Sequence, residues 1–189
     1  MMSEEDFKKK MIDRLNSKNK GWKDGDRDGG VEKKVDILND NLRIAIEVKD
    51  DRNYHLPTSR SGEVVSGGMD LRQKNRQFKD DAKDANRKFT NYLGYKTLLI
   101  IRTDVAFSSN SEYLIDLILS GPVNINLNSG ITEQPSAFWG AHDNSISEVG
   151  GFLFIGQQLI YIKNININMN RDRVMSKEEI QDILGFRVL

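Results

Sequence analysis

The chain has 189 residues, 38% of them hydrophobic and 30% charged, which is typical of one folded globular domain and excludes a wholly disordered chain. Basic and acidic residues balance at 28 each, so the net charge argues against a protein that coats nucleic acid non-specifically. Cysteine is absent and histidine occurs twice, which excludes disulfides and thiolate metal sites. Oxygen must therefore be the main ligand of any metal.

The sequence does not indicate a membrane partner. No apolar run approaches the roughly 20 residues that a membrane-spanning helix needs. Residues 1–10 are charged where a secretory signal would be apolar. We therefore expect a cytoplasmic protein, folded as a single domain over residues 1–189.

The N-terminal segment predicts a capped helix followed by a loop. Ser3 and Asp6 form a capping pair, and apolar residues follow at helical spacing up to a predicted end near residues 19–21. This apolar stripe comprises Phe7, Met11, Ile12 and Leu15. Residues 18–30 are rich in Gly, Asp and Lys without apolar periodicity, which predicts a loop.

A β-hairpin is predicted next. Residues 33–38 and 42–49 are rich in Val, Ile and Leu, and a turn-forming Asn-Asp-Asn run separates them. Residues 50–68 are polar, contain a proline and several glycines, and predict a long loop. Loops of this length are usually functional or disordered.

A longer helix is predicted from a cap at Asp70 to Gly94. Its apolar stripe comprises Leu71, Phe78, Ala82, Ala85, Phe89 and Leu93. Beside that stripe basic residues share one side of the helix: Arg72, Arg76, Lys79, Lys83 and Arg87. This side could contact DNA phosphates. Taken alone, however, it is better interpreted as a solvated face, because three aspartates interleave with the cations: Asp80, Asp81 and Asp84.

Further elements are predicted towards the C-terminus. They are a buried strand over residues 97–102, a short helix over 112–119, a hairpin of strands over 152–155 and 159–162, and a final helix. Ser176 and Glu179 form a capping box for that last helix, which is predicted to end near Gly185.

Charged residues on the predicted hairpin carry the functional signal. Side chains alternate along a strand, so Glu47 and Lys49 share one face of an otherwise apolar segment. A turn at residues 40–41 would pair positions whose numbers sum to about 81, which places Asp36 opposite Ala45 and diagonal to Glu47, within roughly 7–8 Å. Two carboxylates at this distance are costly to bury unless a cation lies between them.

Magnesium or manganese is the expected cation, because Mg²⁺ prefers carboxylate oxygen and water and can activate a water against a phosphodiester. In this hypothesis Asp36 and Glu47 ligate the metal, with the carbonyl of Val48 as a further ligand. Lys49 would orient or deprotonate the attacking water and offset charge on the phosphate.

Asp36, followed by Glu47-Val48-Lys49 at the end of an apolar strand with helices on both sides, resembles the PD-(D/E)XK nuclease superfamily. The resemblance covers about residues 3–102. It implies an α/β restriction endonuclease-like core of a helix, a three-stranded meander, a helix and a strand, here with additional C-terminal strands and a helix over about residues 103–189. Two strands of the meander are recognisable, and Val35 stands where the proline of the motif would be.

The resemblance also implies residues from the two helices. Many members add an acid from the first helix; Glu4 is preferred because it lies on the side of Phe7, whereas Glu5 lies about 100° away. Some members use a glutamine on the second helix, for which Gln73 is preferred over Gln77 because it lies nearer the helix start.

These patterns together predict a magnesium-dependent deoxyribonuclease. An endonuclease of restriction or junction-resolving type is favoured, and by analogy with the family either would act as a homodimer. The alternative is a catalytically silent module with a nuclease fold that binds nucleic acid or protein. RNA ranks below DNA as a substrate, because the usual RNA-binding modules are not recognisable.

Overall fold

A computed structural model describes residues 3–27, 34–50, 71–102, 125–126, 130–131, 146–156, 159–164 and 170–185; for residues 71–76, 125–126 and 130–131 it describes the backbone alone. Within these ranges the fold is α/β, with a six-stranded open sheet and three α-helices. The predicted loop beyond residue 50, the predicted helix over residues 112–119 and both histidines lie outside the described residues.

The first helix, α1 (Glu4–Lys18), confirms the predicted cap and end. The Ser3 side chain accepts from the backbone N–H of Asp6, and the Asp6 carboxylate accepts from Ser3 in return, which satisfies donors that a helix start leaves unpaired. At the other end, the N–H of Asn19 bonds to the carbonyl of Leu15.

The predicted loop at residues 18–30 contains regular structure that the sequence pattern missed. A two-residue strand β1 (Lys23–Asp24) and a 3₁₀ turn (Gly25–Arg27) lie there, and β1 pairs antiparallel with β2 (Ile37–Asn39). The strand predicted from residue 33 is also shorter than expected, because Asp36 lies in a bend before β2. A strand of two residues is too short to show an alternation of apolar and polar side chains.

The hairpin of β2 and β3 (Ile44–Asp50) is confirmed, but its predicted register is wrong by two. Ile37 pairs with Ile46, so paired numbers sum to 83. The connection is a four-residue turn in which Arg43 has φ 52° and the side chain of Asn39 accepts from the N–H of Leu42 at 3.0 Å. A shift by two keeps every side chain of β2 and β3 on its predicted face. Asp36 lies outside β2 and has no strand partner, so its predicted pairing with Ala45 is wrong.

Helix α2 (Leu71–Phe89) buries most of the predicted stripe and ends earlier than expected. Phe78, Ala82, Ala85 and Phe89 are buried. The chain leaves the helix after Phe89 and turns through Gly94, at φ 73°. Leu93 is consequently 76% exposed, and Tyr92 is buried.

The remaining strands extend the sheet to one side. They are β4 (Lys96–Arg102), β7 (Gly151–Ile155) and β8 (Leu159–Lys163), and the strand order is β1-β2-β3-β4-β7-β8. β3, β4 and β7 are parallel, and β8 returns antiparallel, as the predicted hairpin requires. The short strands β5 (Ile125–Asn126) and β6 (Gly130–Ile131) form a separate antiparallel pair.

The helices cover opposite faces of this sheet. Helix α2 packs on the face that includes Leu38, Ala45 and Leu99, which we call the α2 face. Helix α1 and the capped C-terminal helix α3 (Lys177–Leu184) pack on the opposite face. None of the described helices combines the length and apolar character needed to span a membrane.

Candidate active site

Glu47 and Lys49 lie on the α2 face, in the second half of β3. Ile46 and Val48 point to the opposite face, where they pack with α1. The Glu47 side chain is fully buried, and that of Lys49 is 21% exposed. The alternation of β3 has therefore placed a carboxylate and an ammonium side by side beneath α2, as the sequence predicts.

Asp36 approaches these residues from the bend before β2. Its carbonyl accepts from the N–H of Gly25 at 3.0 Å, and its carboxylate oxygen Oδ2 accepts from the N–H of Val48 at 2.7 Å. The N–H and C=O of one strand residue serve the same edge. The hydrogen bond therefore puts the Val48 carbonyl on the edge of β3 that faces Asp36.

The two oxygens of Glu47 have different surroundings. Oε1 contacts the Nζ atom of Lys88 at 2.5 Å and that of Lys49 at 3.0 Å. Oε2 is buried and accepts no hydrogen bond from the described residues. Buried acceptors normally have a partner, which can be a protein donor, a water or an ion.

Helix α2 supplies a further acid to this cluster. Oδ2 of Asp84 binds Nζ of Lys49 at 2.8 Å, and Oδ1 accepts from Arg87 at 3.1 Å. Asp84 and Lys88 are four residues apart and so share one side of the helix. The cluster thus comprises three acids and three bases. Its two contacts between α2 and β3 both come from the last turns of α2.

These contacts change how the groups ionise. Burial, with the charge of Asp36 adding to it, raises the pKa of Glu47 to about 7, although Lys49 and Lys88 oppose the rise. Burial alone would lower the pKa of Lys49, but the charge of Glu47 and the hydrogen bonds to Asp84 and Glu47 raise it. Lys49 is therefore positively charged at neutral pH, which suits it to orienting water and offsetting negative charge rather than to accepting a proton.

Asp84 and Lys88 are the members of this cluster that the sequence did not single out. Asp84 counted there only as one of the acids that make the helix surface mixed in charge. A signal existed: an acid and a base one turn apart border the apolar pair Ala85 and Phe89, so they lie at the margin of the buried stripe. Without the docking of α2, this pair cannot be told from an ordinary surface ion pair.

The structure does not bring Glu4 to the α2 face. It is exposed in the first turn of α1, which packs on the other face of the sheet. Its role as a metal ligand, and that of Glu5, stay predictions.

The predicted glutamine and basic residues of α2 are only partly described. Gln73, Arg72 and Arg76 belong to the helix, but their side chains lie outside the described part. Gln73 and Asp84 are eleven positions apart, which separates them by about 16 Å along the helix. Lys79 and Lys83 are half-buried on the same helix.

The oxygen atoms near Asp36 and Glu47 are donors of the kind that magnesium takes from proteins. The described residues contain no group of three or more His, Cys, Asp or Glu side chains that could together hold a metal ion. Asp36 and Glu47 instead offer two carboxylates beside the Val48 carbonyl, and one carboxylate oxygen has no donor. Mg²⁺ keeps several waters and often takes only one or two carboxylates from a protein.

Comparisons with known proteins add no family assignment. No family model matches the chain, no curated protein matches it, and no solved structure matches it. The geometry of the cluster is therefore the basis for inferring the function of this protein.

Proposed function

We propose that this protein is a metal-dependent nuclease that hydrolyses phosphodiester bonds in DNA. The observation that carries the proposal is the buried carboxyl of Glu47, whose Oε2 has no donor among the described residues, with Asp36 as its acidic neighbour and Lys49 beside it. An arrangement of this kind is costly to bury unless a cation or an ordered water completes it.

The order of the elements supports the proposal. β1, β2 and β3 form an antiparallel meander, β4 lies parallel to β3, and α1 and α2 cover opposite faces. In this proposal the order corresponds to a restriction endonuclease-like core, with β1 as the third strand of the meander. The Glu-x-Lys segment occupies the central strand β3, whose far side is buried.

Two roles are assigned in this proposal, metal binding and the orientation of water. Asp36, Glu47 and the Val48 carbonyl would hold Mg²⁺ or Mn²⁺, which would supply an activated water and stabilise charge on the phosphate. Lys49, charged and held between two carboxylates, orients the water and offsets the phosphate charge.

DNA is the proposed substrate, bound along α2. The basic residues of this helix, Arg72, Arg76, Lys79 and Lys83, would contact backbone phosphates, because α2 lies directly over Glu47 and Lys49. Endonuclease action of restriction or junction-resolving type, by a homodimer, is the favoured form.

Cleavage assays test this proposal directly. Linear duplex, single-stranded, branched and RNA substrates should be incubated with Mg²⁺ or Mn²⁺ and wild type, Lys49→Ala or Asp80→Asn, an exposed control on α2. We expect metal-dependent cutting of DNA by wild type and the control, with loss in Lys49→Ala. Equal activity in Lys49→Ala, or preference for RNA, would contradict the proposal.

One observation favours a second candidate, a binding module without turnover. Lys49 and Lys88 both contact Glu47, so its charge is compensated without a metal. Calorimetric titration with Mn²⁺ separates the candidates. A nuclease should bind Mn²⁺ in a manner that Asp36→Ala abolishes, whereas a module that lacks the metal site should give no binding heat.

A further inference from the structure

Asp84 of α2 forms an ion pair with Lys49 of β3. Its Oδ2 lies 2.8 Å from Nζ of Lys49, and the two residues come from elements separated by 35 positions in sequence. Its other oxygen, Oδ1, accepts a hydrogen bond from Arg87 of the same helix at 3.1 Å, which fixes the orientation of the carboxylate. The lysine ammonium thus lies between Glu47 on its own strand and Asp84 on the helix above.

A lysine needs such a second contact to act in a defined geometry. Its side chain is a flexible four-carbon stem, and ordering it costs about 1.5–2 kcal/mol of conformational entropy. Glu47 reaches Nζ from one side at 3.0 Å, but the same oxygen is shared with Lys88. Asp84 provides the shorter of these two contacts to Lys49, at 2.8 Å against 3.0 Å.

We propose that Asp84 is a positioning residue that holds the ammonium of Lys49 in place for phosphodiester hydrolysis. The inference rests on the proposed function and deepens it, because it assigns to α2 a residue of the site other than the glutamine expected from sequence. Asp84 does not touch the metal or the substrate in this proposal; it acts through Lys49.

The expected signature follows from this indirect action. Asp84→Asn should lower kcat for duplex cleavage by about 10- to 100-fold, the usual effect of losing a residue that orients a functional group. KM and the Kd for Mn²⁺ should stay within about twofold. Asp84→Glu keeps the carboxylate and should recover most of the lost kcat.

A double-mutant cycle identifies the route of the effect. If Asp84 acts through Lys49, the double variant Lys49→Ala, Asp84→Asn should be no slower than Lys49→Ala alone. Asp80→Asn, which removes an exposed carboxylate from the same helix, should leave kcat unchanged. Thermal unfolding of each variant checks the fold; should Asp84→Asn fail to fold, Asp84→Ser carries the same comparison.

An independent readout uses NMR of the lysine ammonium groups in ¹⁵N-labelled protein. An ammonium held by two carboxylates exchanges its protons slowly, so the Lys49 signal should be observable in wild type and lost in Asp84→Asn, while the Lys88 signal remains. Unchanged kcat and an unchanged Lys49 signal in Asp84→Asn would overturn the inference, as would additive losses in the double variant.

Failure of the proposed function gives a different result. Wild-type protein would then bind no Mn²⁺ and cut no substrate, and the inference would fall with it. If the wild type cuts DNA and Asp84→Asn is fully active, the positioning role is refuted and the proposed function is not.

Discussion

The ammonium of Lys88 lies 2.5 Å from Oε1 of Glu47, although the two residues are 41 positions apart and belong to a helix and a strand. The contact ties the last turns of α2 to the centre of the sheet. It also occupies one oxygen of a buried carboxylate and leaves Oε2, the other oxygen, without a described donor.

Glu47→Gln should remove a pH dependence of stability near neutrality. Burial and the charge of Asp36 raise the pKa of Glu47 from 4.5 to about 7 in the folded protein. Between these values the folded protein holds a proton that the unfolded chain has released, so this group makes the free energy of unfolding fall as pH rises. The contribution is fully present below about pH 4.5 and lost as pH passes about 7.

Chemical denaturation in the presence of a chelator measures this effect. The stability of wild type relative to Glu47→Gln should decrease by about 1–3 kcal/mol between about pH 5 and about pH 8, given ~1.4 kcal/mol per unit of pKa shift. Glu4→Gln, at an exposed glutamate, is the control and should leave the wild-type profile unchanged. A constant difference across this pH range would contradict the prediction.

Lys88→Met should destabilise the protein at about pH 8 by about 1–3 kcal/mol, the usual range for a hydrogen bond to a charged group. The variant keeps an unbranched side chain, one heavy atom shorter, but leaves Glu47 with a single ammonium contact, so the pKa of Glu47 should rise further. Urea denaturation at several pH values tests both effects. Lys83→Met on the same helix is the control, and an equal loss there would show that the contact to Glu47 is unimportant.

Asp36 variants should separate metal binding from folding. Asp36→Asn keeps an oxygen that can accept from the N–H of Val48 but lacks the charge, so it should fold with a stability within about 1 kcal/mol of wild type and bind Mn²⁺ at least about tenfold more weakly. Asp36→Ala should lose both stability and Mn²⁺ binding, because it removes the carboxylate and leaves the N–H of Val48 without its acceptor. Calorimetry and urea denaturation check the pair; full Mn²⁺ affinity in Asp36→Asn would exclude Asp36 as a ligand.

Phe78→Ala should reduce stability by about 3–5 kcal/mol, the typical cost of removing a buried aromatic side chain. Phe78 is 2% exposed, and its ring packs edge to face on Phe154 of β7 with centroids 5.5 Å apart. Leu93→Ala is the comparison, because Leu93 is 76% exposed and should change stability by no more than about 0.5 kcal/mol. Comparable losses in both variants would place Leu93 in the core, as the helical pattern predicted.

Local chemistry determined much of this fold. Two helix caps, those of α1 and α3, involve residues three positions apart, and the apolar stripe of α2 repeats within single turns. The alternation along β3 put Glu47 and Lys49 on one face, and a register shift of two could not change this, because side chains alternate with a period of two. Asp36 lies near Glu47 for a different reason: its carboxylate accepts a hydrogen bond from the N–H of Val48.

The strand register, the strand β1 and the partners of the β3 charges depend on tertiary structure and do not follow from local sequence patterns. The register depends on a four-residue turn with Arg43 at positive φ, and β1 exists only because β2 lies beside it. The partners Asp84 and Lys88 depend on how α2 is rotated against the sheet, which follows from the packing of Phe78, Ala82 and Phe89. The sequence alone thus determined which charged groups of β3 share a face, since that depends on neighbouring residues. Their partners came from docking, because contacts across 35 or 41 positions form only when the whole core packs.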